Sequence, residues 1–459
     1  MTIKRQYNKL SLTLLAIIFL NIITIKVFAQ YDHTLYYLHT VPQTTLYNPS
    51  TIPDYSYHFS FPFLSSIYSG MGSTGATYND AFIPRNDDSL VVNVDGIINS
   101  LGNNNTIHSQ EALQIFSIGA RYDKLYLSAS ISEIVDINFD YSKDFASLLA
   151  YGNEASIGKT LDLGRTSMKA QHYREYALGA AYQINEALNI GVRGKLLFGK
   201  SAIDTETLEG SITTSEDNYY ITTHTNVTIN TSLPDSIDMM AKKSYYLSSN
   251  NMGMAFDFGA SYKINKKISI TASVLDLGWI KYDRYLKNFS NEDVTWTYKG
   301  IDAMQFDGLS EDDRTEKFNE IKDSLIDMFK LNETENEFKV QLTAKLYFGA
   351  SYKISESGNI GLLARAEIYR KEWRPSFSLS YQHSIDEHLG LIASYTIADN
   401  SYTNFGVGIV VKLSSIQIYA TTDNILGIVM PDLAHYTNIH FGINFIFPEK
   451  PAAKTMTDM

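Results

Sequence analysis

The heptapeptide Phe-Gly-Ala-Ser-Tyr-Lys-Ile stands at residues 258–264 and again at 348–354. In the first copy, Phe258, Ala260, Tyr262 and Ile264 alternate with Gly259, Ser261 and Lys263. After Asn265, Lys266 and Lys267 the alternation resumes, with Ile268, Ile270, Ala272 and Val274 set against Ser269, Thr271 and Ser273. The second copy repeats the plan through Phe348, Ala350, Tyr352 and Ile354, a turn at 355–359, and then Ile360, Leu362, Ala364, Ala366 and Ile368. A period of two gives each strand one apolar face and one small or polar face. The repeat is therefore a β-hairpin used more than once, not a site.

The same rule governs three further pairs. Tyr176 to Ile184 turns at 185–187 into Leu188 to Phe198, Phe377 to Ile385 turns at 386–388 into Leu389 to Tyr395, and Phe405 to Leu413 turns at 414–415 into Ile416 to Ala420. A weaker pair turns at Asp123 and Lys124. A soluble β-sandwich also alternates, but three features separate this chain from one. Aromatic residues sit near both ends of the apolar face, as in Phe258 and Tyr262 or Tyr176 and Tyr182, which is the arrangement of interfacial girdles. The opposite face is small and polar, suited to a lumen. Very short turns alternate with very long connections, the pattern of periplasmic turns and extracellular loops. The expected fold is all-β, a transmembrane antiparallel β-barrel.

The hairpins place strands near 112–122, 125–138, 173–184, 188–203, 252–264, 268–282, 339–354, 359–371, 374–385, 389–398, 403–413 and 416–423. A terminal strand at 438–447 and a first one through Tyr55, Tyr57, Phe59, Phe61 and Phe63 bring the count to fourteen, with twelve and sixteen as neighbouring counts. An even number leaves both ends of the barrel on the short-turn side. Closure also removes the unpaired strand edges that lipid cannot satisfy. Long loops are expected at 64–111, 139–172, 204–251 and 283–338. One carries a helix with Ser310 as cap and an apolar stripe of Phe318, Ile321, Leu325, Met328 and Phe329, a candidate lid or rim contact. A shorter helix runs from Ser142 to Tyr151 and ends at Gly152. Between 274 and 280, Leu275, Leu277 and Trp279 take over the apolar phase from Val274, which predicts a β-bulge.

The N-terminus reads as an export signal: Lys4, Arg5 and Lys9 precede an apolar run at 10–25, and Val27-Phe28-Ala29 offers a cleavage site before Gln30. Residues 1–29 would then be a signal peptide, 30–54 a periplasmic segment or plug, 55–447 the barrel and 448–459 a short periplasmic tail. Loss of residues 1–29 moves the formal charge from −12 to −16, because it removes four cations and no acid. Nucleic acid is excluded as a partner by that charge. The chain has no cysteine, which excludes disulfides and thiolate sites. No cofactor, metal or catalytic set is expected: Gly70-Met71-Gly72-Ser73-Thr74-Gly75 fits G-x-G-x-x-G but lacks a βαβ unit, and is expected in a loop or plug. The candidate lumen residues are the cations Arg121, Arg193, Lys195, Lys263, Lys353, Arg365 and Lys412, with Glu367 as their acidic counterpart. They form either internal ion pairs or a cationic path.

The segment Phe28-Ala29-Gln30, the run Tyr47-Asn48-Pro49-Ser50, the stretch 274–280 and Thr422-Asp423-Asn424-Ile425-Leu426-Gly427 together resemble an uncharacterised outer-membrane barrel family of Bacteroidota. That family is similar in layout to fatty-acid-transporter-like barrels and to barrels that accompany type IX secretion and gliding. The resemblance implies outer-membrane lipid and the barrel assembly machinery as partners. It implies either a passive transporter of small hydrophobic or amphipathic molecules, or a non-conducting anchor for a secretion-system protein. It transfers no functional residue.

Overall fold

The alternating runs pair with their sequence neighbours into one antiparallel sheet that closes on itself. The computed structural model describes residues 33–448, except 87–88, 235–236, 241, 300–309, 311–316, 318–330 and 399–400. The wall has fourteen staves. They are β1 (Tyr55–Ser60, continued at Ser66–Ser73), β2 (Asn104–Tyr122), β3 (Leu125–Ser142), β4 (Ser167–Gln183), β5 (Leu188–Thr214), β6 (Met252–Lys263) and β7 (Ile268–Tyr282). The second half is β8 (Phe338–Gln341, continued at Ala344–Lys353), β9 (Gly358–Tyr369), β10 (Glu372–Ser384), β11 (Leu389–Ala398), β12 (Ser401–Leu413), β13 (Ile416–Thr422) and β14 (Tyr436–Pro448). Closure is made where β14 returns to β1, through Tyr57 opposite Phe447, Phe59 opposite Phe445 and, beyond a break, Ile67 opposite Phe441. Stacked rings, with Phe59 and Phe445 centroids 4.8 Å apart, seal this seam on the outside.

Outside, the apolar phase of each stave is exposed: Phe258 at 49% and Phe348 at 57% from the duplicated heptapeptide, with Tyr262 and Tyr352 below them. Six short turns sit at one end of the barrel. Three share one construction, in which the side-chain oxygen of Asn185, Asn265 or Asp386 accepts the backbone N–H groups two and three residues on. The helix Lys143–Tyr151 forms as its sequence requires: the Ser142 hydroxyl accepts from the Phe145 N–H, and Gly152 ends it at φ +68°.

Three expectations change. The first strand, read as unbroken through Phe63, breaks after Ser60 and resumes at Ser66. Pro62 has no N–H to give the ladder, and Phe63 turns to φ +62°. The Phe61 and Phe63 N–H groups still reach Ile443 and Ile115, so the break remains pinned to both neighbours. The resumed strand takes up Gly70 and Gly72, which belong to the wall and not to a loop. A Cβ at Gly70 would meet the Tyr68 hydroxyl at 2.5 Å, and one at Gly72 the His108 ring at 2.5 Å. Finally, the connections expected at 204–251 and 283–338 begin as sheet. The upper part of β5 pairs with a threonine-rich strand Ile221–Ser232, which pairs with Asn288–Tyr298 above the barrel. The helix expected to carry Phe318, Ile321, Leu325, Met328 and Phe329 falls on positions outside the described residues.

The interior holds the chain's own beginning. Residues 33–54 run inside the barrel as two 3-10 turns, Leu35–Tyr37 and Pro42–Leu46. Leu35, Tyr36, Tyr37, Leu38 and Val41 form one buried cluster with Leu275, Tyr347, Leu363, Ile392, Val410 and Tyr419 of the wall. The small inward face of the repeated heptapeptide is the seat: a Cβ at Gly259 would lie 2.2 Å from the Asn48 side chain, and one at Gly349 would lie 2.9 Å from the Tyr37 hydroxyl. At Gly191 the obstacle is backbone, the Pro49 carbonyl at 2.1 Å, which cannot swing aside.

Gly191→Val should therefore unseat the segment while the wall still closes. With Thr44→Cys as the sole thiol of the chain, maleimide alkylation should be slow in the parent, where Thr44 is buried. It should be about tenfold faster or more with Gly191→Val, as an overpacking cost of about 1–3 kcal/mol implies.

Candidate functional site

The segment of residues 33–54 touches most sectors of the wall with specific polar contacts. At its inner end the Thr34 N–H and hydroxyl both donate to Asp423 Oδ1, at 2.7 and 2.6 Å, and the hydroxyl lies 2.8 Å from Ser394 Oγ. Asn438 Nδ2 donates to the other Asp423 oxygen at 2.8 Å. In the middle, the Tyr36 hydroxyl meets Thr271 at 2.9 Å, the Tyr37 hydroxyl donates to the Ala350 carbonyl at 3.1 Å, and the Tyr36 ring stacks on Tyr347. Gln43 and Asn444 exchange two amide hydrogen bonds of 2.9 Å, and Gln43 Nε2 also donates to the Ser65 carbonyl at the β1 break. Near the short-turn end, Ser50 Oγ meets Ser261 Oγ at 2.5 Å, a second use of the first heptapeptide. Every one of these buried polar atoms would cost free energy if left unmatched, so the segment fits one position.

Above and beside it lies a network of ion pairs. Lys195 Nζ reaches Asp257 Oδ2 at 2.8 Å and Asp276 Oδ1 at 2.5 Å, and Lys345 Nζ holds the other Asp276 oxygen at 2.7 Å. Arg193 pairs with Glu175, and Arg365 with Glu367, the Arg365 Nε also donating to the Tyr347 hydroxyl at 3.0 Å. The bulge predicted between 274 and 280 creates the hub. Leu275 and Asp276 together face Asp257, Asp276 adopts φ +61°, and its N–H donates to Asp257 Oδ1 at 2.8 Å. The extra residue turns Asp276 into the lumen while Leu277 and Trp279 stay on the outer face. On the far wall, Arg374 pairs with Asp140 at 3.1 Å and lies over the Tyr369 ring at 4.0 Å.

The eight candidate lumen residues thus divide in two. Arg193, Lys195, Arg365 and Glu367 come together in the buried network, as internal pairs and not as a cationic path. Arg121, Lys263, Lys353 and Lys412 stand apart on inward phases at the short-turn rim, where Arg121 donates to the Asp123 carbonyl and Lys353 pairs with Glu356 at 2.6 Å. The reading of Glu367 as the acidic counterpart is too narrow: Glu175, Asp257 and Asp276 carry more of the balance. Asp257 could have been found, since it sits on the polar phase between Phe256 and Phe258. Asp276 is hidden by the phase shift itself. Among the described residues, these pairs neutralise the cations at the centre of the lumen.

His33, at the inner end of the segment, donates or accepts through Nε2 with Ser376 Oγ at 3.1 Å. Burial pushes its pKa down to about 4, and the nearby Asp423 carboxylate only partly offsets this. A histidine that stays neutral when docked but takes up a proton near pH 6.5 when released makes docking firmest above that pH. Docking weakens progressively as pH falls from 6.5 towards 4. Urea unfolding of the detergent-solubilised barrel at pH 7.5 and 4.5 should show a loss on acidification that His33→Gln reduces, by at most about 3 kcal/mol. In the same assay at pH 7.5, Asp276→Asn should cost about 3–5 kcal/mol, because Lys195 and Lys345 lose their shared carboxylate in a buried site.

Comparison with solved structures places barrels beside this one. The Pseudomonas putida toluene transporter TodX is 10% identical over 92% of this chain and 98% of that chain, with a TM-score of 0.37. A Pseudomonas aeruginosa FadL homologue is 9% identical over 92% of this chain and 100% of that chain, with a TM-score of 0.42. A TodX deltaS2S3 mutant monoaromatic hydrocarbon channel is 10% identical over 89% and 94%, with a TM-score of 0.44. No curated protein matches the sequence. A family profile described as a family of unknown function, DUF5723, matches residues 49–423, which takes in the wall from β1 to the end of β13 and the Asp423 anchor, and the chain belongs to that family.

Proposed function

We propose that this protein is an outer-membrane barrel, exported by a cleaved signal at residues 1–29, with its short turns in the periplasm and its long loops outside. In this reading it passes small hydrophobic or amphipathic molecules when the segment of residues 33–54 leaves its seat. The observation that carries the proposal is one part of that seat: between the polar anchors, Leu275, Leu363, Ile392 and Val410 on the inner wall, with the Tyr347 and Tyr419 rings, make an apolar strip that the segment covers. A water-filled porin lines its lumen with polar groups. An apolar lining exposed by withdrawal of a plug suits a permeant that is itself apolar. The ion pairs beside it are mutually neutralised, which argues against selection by charge. The aromatic last stave β14 is, in the same reading, the strand presented to the assembly machinery.

A disulfide between Thr34→Cys and Ser394→Cys would lock the segment, because the two native hydroxyls are 2.8 Å apart and the chain has no other thiol. Proteoliposomes carrying the locked form should exclude a hydrophobic fluorescent probe and should admit it after reduction, by at least about tenfold in rate. Equal exclusion before and after reduction, and also in a form lacking residues 31–54, would favour the non-conducting anchor that works through its loops.

A further inference from the structure

Charged side chains on the lipid-facing side of a barrel wall are costly at mid-membrane and become tolerable only near the interface. On β3 the outward phase runs through Leu127, Ala129 and Ile131 and then reaches Glu133. On β4 it runs through Leu178 and Tyr176 and then reaches Arg174 and His172. The register pairs Ile131 with Tyr176 and, one step higher, Glu133 with Arg174. On β5, Phe198 faces Arg174, and Lys200 is the extra residue between Gly199, opposite Tyr173, and Ser201, opposite His172. Below this line the wall is apolar, with Leu178 71% and Leu196 42% exposed. Tyr176 and Phe198, in edge contact at 5.7 Å, mark its upper border. The cluster therefore stands where an apolar band ends, on the long-loop side.

Within it the charges do not balance. Glu133 is taken up by Arg174 Nε at 2.6 Å and by His172 Nε2 at 2.9 Å, while His172 Nδ1 meets the Tyr245 hydroxyl at 2.8 Å. Lys200 forms no ion pair among the described residues and donates to the Ser248 carbonyl. Lys200 lines a cavity of about 380 Å³, together with Ser244, Tyr245, Ser248 and Asn250 of the connection that leads into β6. An ammonium group with spare donors, hydroxyls and amides around a cavity at the edge of the lipid-facing band is a site for anionic oxygen.

We propose that this cavity takes the phosphate-bearing headgroup of an anionic lipid in the leaflet on the long-loop side, with Lys200 as the principal contact. The inference rests on the membrane reading above. The lipid's acyl chains would continue down the apolar wall past Phe198 and Leu196.

The test follows the thermal midpoint of the barrel in neutral detergent micelles, read by the gel shift between folded and heated forms, during titration with short-chain phosphatidylglycerol. The wild type should be stabilised saturably, phosphatidylcholine and inorganic phosphate should not reproduce the effect, and Lys200→Gln should need about tenfold more lipid for half the effect. Lys200→Arg should keep the response, and so should Lys266→Gln at the opposite end of the barrel. An unchanged titration in a folded Lys200→Gln protein overturns the site. An equal effect of inorganic phosphate overturns the lipid as its ligand. A chain that shows no heat-modifiable folded form in any micelle or vesicle overturns the membrane reading and the site with it.

Discussion

In lipid every backbone N–H and C=O must be paired within the protein, and a sheet can meet that demand only by closing. Closure at the β1–β14 seam then dictates the rest. A ring of fourteen staves encloses a space that side chains from a thin wall do not fill by themselves. This chain fills it from two sources. Its own residues 33–54 occupy an apolar seat, and a set of oppositely charged side chains spans the remainder. The glycines on the inner phase, which look merely small in the sequence, are what allow the segment to lie against the wall, backbone on backbone at Gly191 and with the Asn48 side chain seated at Gly259.

The duplicated heptapeptide shows how far local pattern reaches. Its alternation announces a stave, the Asn265 that follows its first copy announces the turn, and its aromatic residues announce the outer face, because each of these is decided within a few residues by backbone geometry and solvent. The bulge was legible for the same reason, as a slip of phase beginning at Leu275. What Asp276 does there was not legible, since its partners Lys195 and Lys345 lie 81 and 69 residues away and meet it only once the barrel has closed. The alternation also led the first strand too smoothly through Pro62, where a missing donor outweighs the aromatic pattern. Strand ends beyond the long-loop rim of the barrel are longer than the alternation indicates because threonine-rich polar sequence, as in Ile221–Ser232, pairs well once a long neighbour such as β5 offers an edge.

The interior and exterior charges illustrate one principle in two settings. Inside, Asp276 and the lysines are tolerable because they neutralise one another at hydrogen-bond distance. Outside, Glu133 and Arg174 do the same, with His172 at 2.9 Å from the carboxylate, but Lys200 is left to a carbonyl beside a cavity. The first arrangement ties the charges of the lumen to one another, and the second leaves Lys200 without an ion pair among the described residues.

Residues 33–54 of the chain itself occupy the lumen. Hydrogen exchange of the folded barrel in detergent, resolved by peptide, measures this directly. The backbone of residues 33–50 should exchange far more slowly than a free peptide of the same sequence, with protection comparable to that of β8 and β9. Exchange at the free-peptide rate, with the staves protected, would contradict it.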